Sequence, residues 1–281
     1  MRRTYVSKKQ TMTRCALSVL GSSIFGAVLI VSPLVCHATT PQQPRFLVPP
    51  LVPTDQSPRQ VAAADFNHDG KLDLAVTTEK GVDILLGYGA GNFKPYRSYH
   101  FHTVQLGGAI AVGDFNNDGN LDLVMLPTRT KVRILLGNGD GTFREGGYFS
   151  VSEEATDVAV GDFNGDGNLD VVVSHSCCTA MVGVMLGNGD GSLQPEQHYG
   201  GGRAYSVVVA DFNGDGKLDI ASNGDQTLQV LFGNGDGTFQ SRISLGAAGP
   251  QLGLADVNSD GLIDIVTRIG TSQSGGFVVV F

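Results

Sequence analysis

Five copies of one nonapeptide carry most of the acidic chemistry of this chain. They read DFNHDGKLD at 65–73, DFNNDGNLD at 114–122, DFNGDGNLD at 162–170, DFNGDGKLD at 211–219 and DVNSDGLID at 256–264. Positions 1, 3 and 5 hold side-chain oxygens: Asp65, Asn67 and Asp69; Asp114, Asn116 and Asp118; Asp162, Asn164 and Asp166; Asp211, Asn213 and Asp215; Asp256, Asn258 and Asp260. Gly at position 6 permits a tight curl. Position 7 offers a backbone carbonyl, from Lys71, Asn120, Asn168, Lys217 or Leu262. Position 9 adds a further carboxylate, from Asp73, Asp122, Asp170, Asp219 or Asp264. Hard cations of the Ca²⁺ type take six to eight oxygens at about 2.3–2.6 Å, and each copy supplies five, with water for the remainder.

A plain Asx-type turn would use the same residues, but it leaves the charge unexplained. The five copies hold 15 of the 27 acidic residues. Like charges crowded by threes are unfavourable unless a cation neutralises them. The reading is therefore about five Ca²⁺ per chain. The start of the motif is that of an EF-hand loop, but the end is not. An EF-hand needs Glu at position 12, where Val76, Met125, Val173 and Thr267 stand in four of the units.

The spacing of these loops defines the architecture that must position them. Their starts are separated by 49, 48, 49 and 45 residues. Between them lies a second motif: LLGYGAGNF at 85–93, LLGNGDGTF at 135–143, MLGNGDGSL at 185–193 and LFGNGDGTF at 231–239. These Gly-rich stretches suit hairpin turns with positive φ; with one Asp or none they are not metal sites, and with no following helix they are not phosphate loops. Short apolar runs flank both motifs. In the third unit they are Asp157–Gly161, Leu169–Ser174, Val182–Leu186 and a fourth starting near Leu193. Runs this short between Gly-Asn-Asp turns read as strands, and four per 45–49 residues is one propeller blade. The fold class is all-β, a β-propeller of four-stranded blades over 45–281, with the ion loops between first and second strands. Phe46 is in phase with Phe93, Phe143, Leu193 and Phe239, so a strand around 46–52 is expected to complete a fifth blade and close the ring. A larger propeller, of which this is part, is the competing arrangement.

Residues 1–38 differ from the rest. Arg2, Arg3, Lys8, Lys9 and Arg14 precede an apolar run from Ala16 to Val35, and small residues at Cys36 and Ala38 fit a cut after Ala38. This is the layout of a secretory signal peptide; an uncleaved membrane anchor is the alternative. Residues 39–44 read as a linker. Without those five basic residues, 14 Lys and Arg stand against 27 Asp and Glu, a net charge of −13. Such a chain does not seek nucleic acid or an anionic membrane. The expected location is outside the cytoplasm: secreted, periplasmic or at the cell surface. Adjacent Cys177 and Cys178 are a vicinal disulfide, two thiols or a link to another chain.

The nonapeptide, its spacing and the intervening LLGNGDGTF resemble the FG-GAP/VCBS-type repeats of integrin α-subunit propellers and of many bacterial exported proteins. The resemblance spans about 45–281. It implies a calcium-binding propeller and carries the loop residues named above over as metal ligands. Integrin propellers have seven blades where this chain offers five units.

Catalytic constellations are sparse. There is no GxSxG and no HExxH. His100 and His102 form an HxH pair on a strand, and His175 stands beside Cys177 and Cys178, a soft-metal set. Tyr96, Tyr99, His100 and His102 are the local candidates for a polysaccharide-active lyase or hydrolase. The chain is read instead as a binding, adhesion or scaffold module for extracellular protein or glycan. A repeat lectin would need an aromatic recurring at one exposed blade position, and none is evident outside the Phe of DFN and GTF.

Overall fold

The computed structural model describes residues 52–54, 57–101, 108–177, 180–269 and 277–280. These belong to a compact unit beginning at Val48. The signal-type segment, the linker and residues 46–51 of the expected closing strand lie outside the described residues. No helix among the described residues is long and apolar enough to cross a membrane.

The described chain is all-β. The first sheet contains β1 (Val61–Ala64), β2 (Asp73–Thr77), β3 (Gly81–Gly89) and β4 (Asn92–His100); the second, β5 (Ile110–Gly113), β6 (Asp122–Thr128), β7 (Lys131–Gly137) and β8 (Phe143–Ser150). The third holds β9 (Ala155–Gly161), β10 (Asp170–His175), β11 (Val182–Met185) and β12 (Gln197–Tyr199). The fourth holds β13 (Ser206–Ala210), β14 (Asp219–Gly224), β15 (Thr227–Leu231) and β16 (Ile243–Ala247). The fifth has three described strands, β17 (Leu252–Ala255), β18 (Asp264–Ile269) and β19 (Phe277–Val280). Each sheet is an antiparallel meander in sequence order. No strand of one sheet pairs with another sheet among the described residues. Of the expected closing segment, Val52 is described and is not in a strand; Pro53 and Thr54 border a groove on β3 and β4 of the first sheet.

The fourth strand of the third sheet starts later than expected. Leu193 makes an isolated bridge to Gly187, and the strand resumes only at Gln197. The fourth sheet does the same: Phe239 makes an isolated bridge to Gly233, and β16 begins only at Ile243.

The core lies between sheets rather than within them. β10 shows why. All its residues are buried, and successive side chains point to opposite faces. Val171 and Val173 pack toward Phe115, Val124 and Ile134 of the second sheet, while Val172 packs toward Val207, Ile220 and Leu231 of the fourth. The same alternation sends Leu123 and Met125 toward the first sheet and Val124 toward the third. An unbroken apolar run therefore serves two interfaces at once. A fourth cluster joins Ala221 and Val230 to Ile265 of the fifth sheet. Beyond it the fifth sheet is more open: Leu254 and Val257 are 40% and 54% exposed, whereas Phe66, Phe115 and Phe163 at the position of Val257 are 2–3% exposed.

Candidate metal-binding loops

All five nonapeptides occupy the connection from first to second strand, and each ninth residue opens the second strand. Their local geometry repeats closely. In every copy the position-1 carboxylate accepts the position-5 amide on Oδ1 at 3.2 Å. Its Oδ2 accepts the amide of the position-6 glycine at 2.8–3.1 Å. The position-3 Asn Oδ1 accepts the position-5 amide as well, at 2.9–3.2 Å. The position-5 carboxylate accepts the position-7 amide at 2.8–3.0 Å. Side-chain oxygens of positions 1, 3 and 5 are thus turned into one concave loop by its own amides.

Two left-handed residues make this curl. Gly at position 6 is left-handed in every copy: Gly70, Gly119, Gly167, Gly216 and Gly261 have φ between 78° and 90°. Position 4 is left-handed too, as His68, Asn117, Gly165, Gly214 and Ser259, with φ from 57° to 75°. Sequence reading passed over position 4 because its residue type varies.

The ninth aspartate is the most structured of the five. Asp73, Asp122, Asp170 and Asp219 are wholly buried. Each accepts the amide of position 2 on Oδ2, from Phe66, Phe115, Phe163 and Phe212, at 2.8–3.0 Å. Each accepts on Oδ1 the amide of the first glycine of the second motif, Gly87, Gly137, Gly187 and Gly233, at 2.7–2.8 Å. Asp264 keeps the first of these bonds, to Val257, at 2.8 Å. This carboxylate clamps the loop to the hairpin beside it. The glycine it holds has no room for a side chain: a Cβ on Gly187 would lie 2.1 Å from the Leu169 carbonyl oxygen.

Burial pushes these clamps up. Asp122 and Asp170 rise to about 6 because burial disfavours the charge; two amides oppose this, and the position-1 and position-5 carboxylates of the same loop add to it. Asp73 and Asp219 rise for the same reasons. Position 5 goes the other way: the Lys71 side chain holds Asp69 down, and the Asn120 and Asn168 amides hold down Asp118 and Asp166. The donor set is all oxygen and carries three carboxylates per loop, which fits a hard divalent cation.

Neighbouring loops are joined. His68 Nε2 lies 3.1 Å from Asn120 Oδ1, and Asn117 Nδ2 donates to Asn168 Oδ1 at 2.7 Å. The second motif has a role the sequence did not show. The last glycine of one sheet's GNGDG turn donates its amide to the position-2 carbonyl of the preceding sheet's loop: Gly141 to Phe66, Gly191 to Phe115 and Gly237 to Phe163, at 2.9–3.0 Å. Phe143 and Phe239, which follow those turns, pack edge-on against Phe66 and Phe163.

The other candidates divide. Tyr99 is structural: its ring packs on Phe143 and its hydroxyl accepts the Phe143 amide at 2.7 Å. Tyr199 repeats that placement against Phe239 two interfaces further on, and Phe149 stands at the matching position of the second sheet. An aromatic does recur, then, but partly buried between sheets. His102 and Cys178 lie outside the described residues. His175 does join a cluster with metal-ligand character, with Glu196 and His198 rather than with Cys177; sequence reading linked neither of these to it.

The family model for the FG-GAP-like repeat matches residues 65–125, 114–173, 177–222 and 211–267. No curated protein matches the chain. Among solved structures, a lectin from Agrocybe aegerita, described for specific recognition of non-reducing terminal N-acetylglucosamine, aligns with a TM-score of 0.56 at 23% identity over 79% of this chain. The chain spans 65% of that lectin's length. The Photorhabdus luminescens Tc holotoxin pore aligns over 82% of this chain and 11% of its own, with 20% identity and a TM-score of 0.49. Loops repeated at every sheet, the turns that lock each to the next and the four matched segments lead to one assignment: the chain belongs to the family of FG-GAP-like repeat proteins.

Proposed function

We propose that the protein is an exported, calcium-binding β-propeller of five blades that acts as a binding, adhesion or scaffold module for extracellular protein or glycan. The observation that carries this reading is the regular inward turning of positions 1, 3 and 5 in all five loops, each beside a buried ninth carboxylate. The ion would be held by those side chains and the position-7 carbonyls, and it would supply charge neutralisation and rigidity. Five Ca²⁺ would bring the exported part from −13 to about −3. A propeller arrangement is supported by the cores between consecutive sheets and by a polar pocket of about 400 Å³. That pocket is lined by Gln60, Thr156, Asp157, Ser206 and Gln251, from the first, third, fourth and fifth sheets. Export is supported by the basic start and apolar run of residues 1–38.

The test is a thermal melt with EDTA and with millimolar Ca²⁺, with bound metal counted in parallel. Extracellular modules bind in the range of about 10⁻⁴–10⁻³ M, so at ten times Kd each ion adds about 1.4 kcal/mol. A rise in Tm with about five ions per chain is the expected result. No shift and no bound ion removes calcium from the proposal. The lectin reading rests on the fold shared with the Agrocybe aegerita protein; a glycan array in calcium separates it from protein adhesion.

A further inference from the structure

One polar cluster is built in a single sheet. His175 ends β10 and is wholly buried. Glu196 and His198 lie two residues apart where the chain enters β12, so both side chains reach the same face. His198 pairs across the ladder with Gly183 of β11. A Cβ on Gly183 would stand 1.9 Å from Glu196 Oε1, so the carboxylate can lie on the sheet only because that residue has no side chain. Glu196 Oε1 is 2.9 Å from His175 Nε2, and Oε2 is 3.2 Å from His198 Nε2. Ser152, in the connection from β8 to β9, closes the ring: its hydroxyl is 2.7 Å from His198 Nε2 and donates to Glu196 Oε2 at 2.8 Å, where its amide also donates. The ligand-type atoms of His175, Glu196 and His198 lie within 4.8 Å of one another.

Among the described residues, no other sheet has an equivalent cluster. Counting from the ninth aspartate, His175 corresponds to Thr78, Pro127 and Gly224. Counting from the residue that follows the GNGDG turn, Glu196 and His198 correspond to Tyr96 and Ser98, Gly146 and Tyr148, and Arg242 and Ser244. Repetition does not explain the cluster, and neither does the sheet interface, which the other sheets form without it.

We propose that His175, Glu196 and His198 bind one divalent transition-metal ion, with Zn²⁺ the best match. Two imidazole nitrogens and one carboxylate oxygen are a zinc-type ligand set, distinct from the all-oxygen loops. Tetrahedral ligands bonded at about 2.0–2.1 Å stand about 3.4 Å apart; the imidazoles lie 2.9 and 3.2 Å from the two different Glu196 oxygens, and the three ligand atoms lie within 4.8 Å, so side-chain rotation brings them around one ion. Each imidazole enters with its Nε2 lone pair, and the displaced proton moves to Nδ1 or to solvent. His175 Nδ1 has no hydrogen-bond partner to give up. His198 is 37% exposed and provides the entry path; water or the Ser152 hydroxyl fills the fourth position. Cys177 takes no part.

The test uses the whole protein, stripped by chelator and returned to excess Ca²⁺ so that the oxygen loops are saturated. Zn²⁺ is titrated by calorimetry, and Co²⁺ serves as an optical probe. Uptake of one Zn²⁺ per chain, with d–d bands of a four- or five-coordinate Co²⁺, is expected. His198→Ala, at an exposed position, should keep the melting temperature in Ca²⁺ and weaken Zn²⁺ by at least about 100-fold, the upper end of what losing a merely supporting partner costs a metal site. Glu196→Gln should weaken it similarly. No Zn²⁺ bound by the folded wild type, or binding that His198→Ala leaves unchanged, overturns the proposal. Ca²⁺ uptake is counted in the same samples, so failure of the zinc site and failure of the calcium loops give separate readings.

Discussion

Asp170 and Glu196 are both carboxylates buried in the third sheet, and their surroundings drive them in opposite directions. Burial and the charges of Asp166 and Asp162 raise Asp170 to about 6, although two amides bind it. Burial acts on Glu196 as well, but bonds from His175, Ser152 and His198 outweigh it and hold the group at about 2. The first carboxylate recurs at every sheet and faces only amides and other acids. The second occurs once and faces imidazoles. A group that recurs answers a need shared by all interfaces; one found once, at the outer strand of one sheet, answers to something outside the repeat.

The largest effect should come from the recurring group. Asp170→Ala removes two bonds and leaves the Phe163 and Gly187 amides buried without partners; about 3–5 kcal/mol is expected, read by urea unfolding. A loss below about 1 kcal/mol would make the clamp incidental.

Next comes the pH response of the ion-free protein. Asp122 and Asp170 have folded values near 6 against an ordinary 3.8, so the native state holds more protons. Their contribution is complete below about 4 and is lost as pH rises through about 6. In EDTA the Tm should fall across that window, and saturating Ca²⁺ should flatten the curve. A rise of Tm over the same window in EDTA would contradict the assignment.

A smaller effect is expected at the unique cluster. Gly183→Ala must displace the Glu196 carboxylate, at about 1–2 kcal/mol, with Zn²⁺ uptake lost and Ca²⁺ uptake kept. Smallest of all, Asn168→Ala removes an exposed bond between two loops and leaves the left-handed position 4 untouched; a change of about 0.5 kcal/mol is expected, together with a less steep Ca²⁺ titration.

The repeating part of this molecule was open to sequence reading and the unique part was not. Asp65, Asn67, Asp69 and Asp73 announce themselves through spacing, and five copies confirm one another. Position 4 escaped because backbone conformation, not side chain, is what it supplies. The turn glycines escaped as connectors because Gly141 meets Phe66 across a distance no local pattern encodes. Glu196 and His198 carry a visible alternate spacing, yet only the pairing of Gly183 with His198 and of Val171 with Met185 brings them to His175.

The bonds from Gly141, Gly191 and Gly237 to the preceding loop carry a consequence for how such chains grow. What is copied in sequence and what is completed in space are out of step. A loop that opens at Asp65 is finished only by the turn before Phe143, in the next copy. A single duplicated repeat therefore inherits half of two joints and all of none. Lengthening of the array must be judged by whether the new seam restores both halves, and point changes in one copy will be felt as faults in its neighbour.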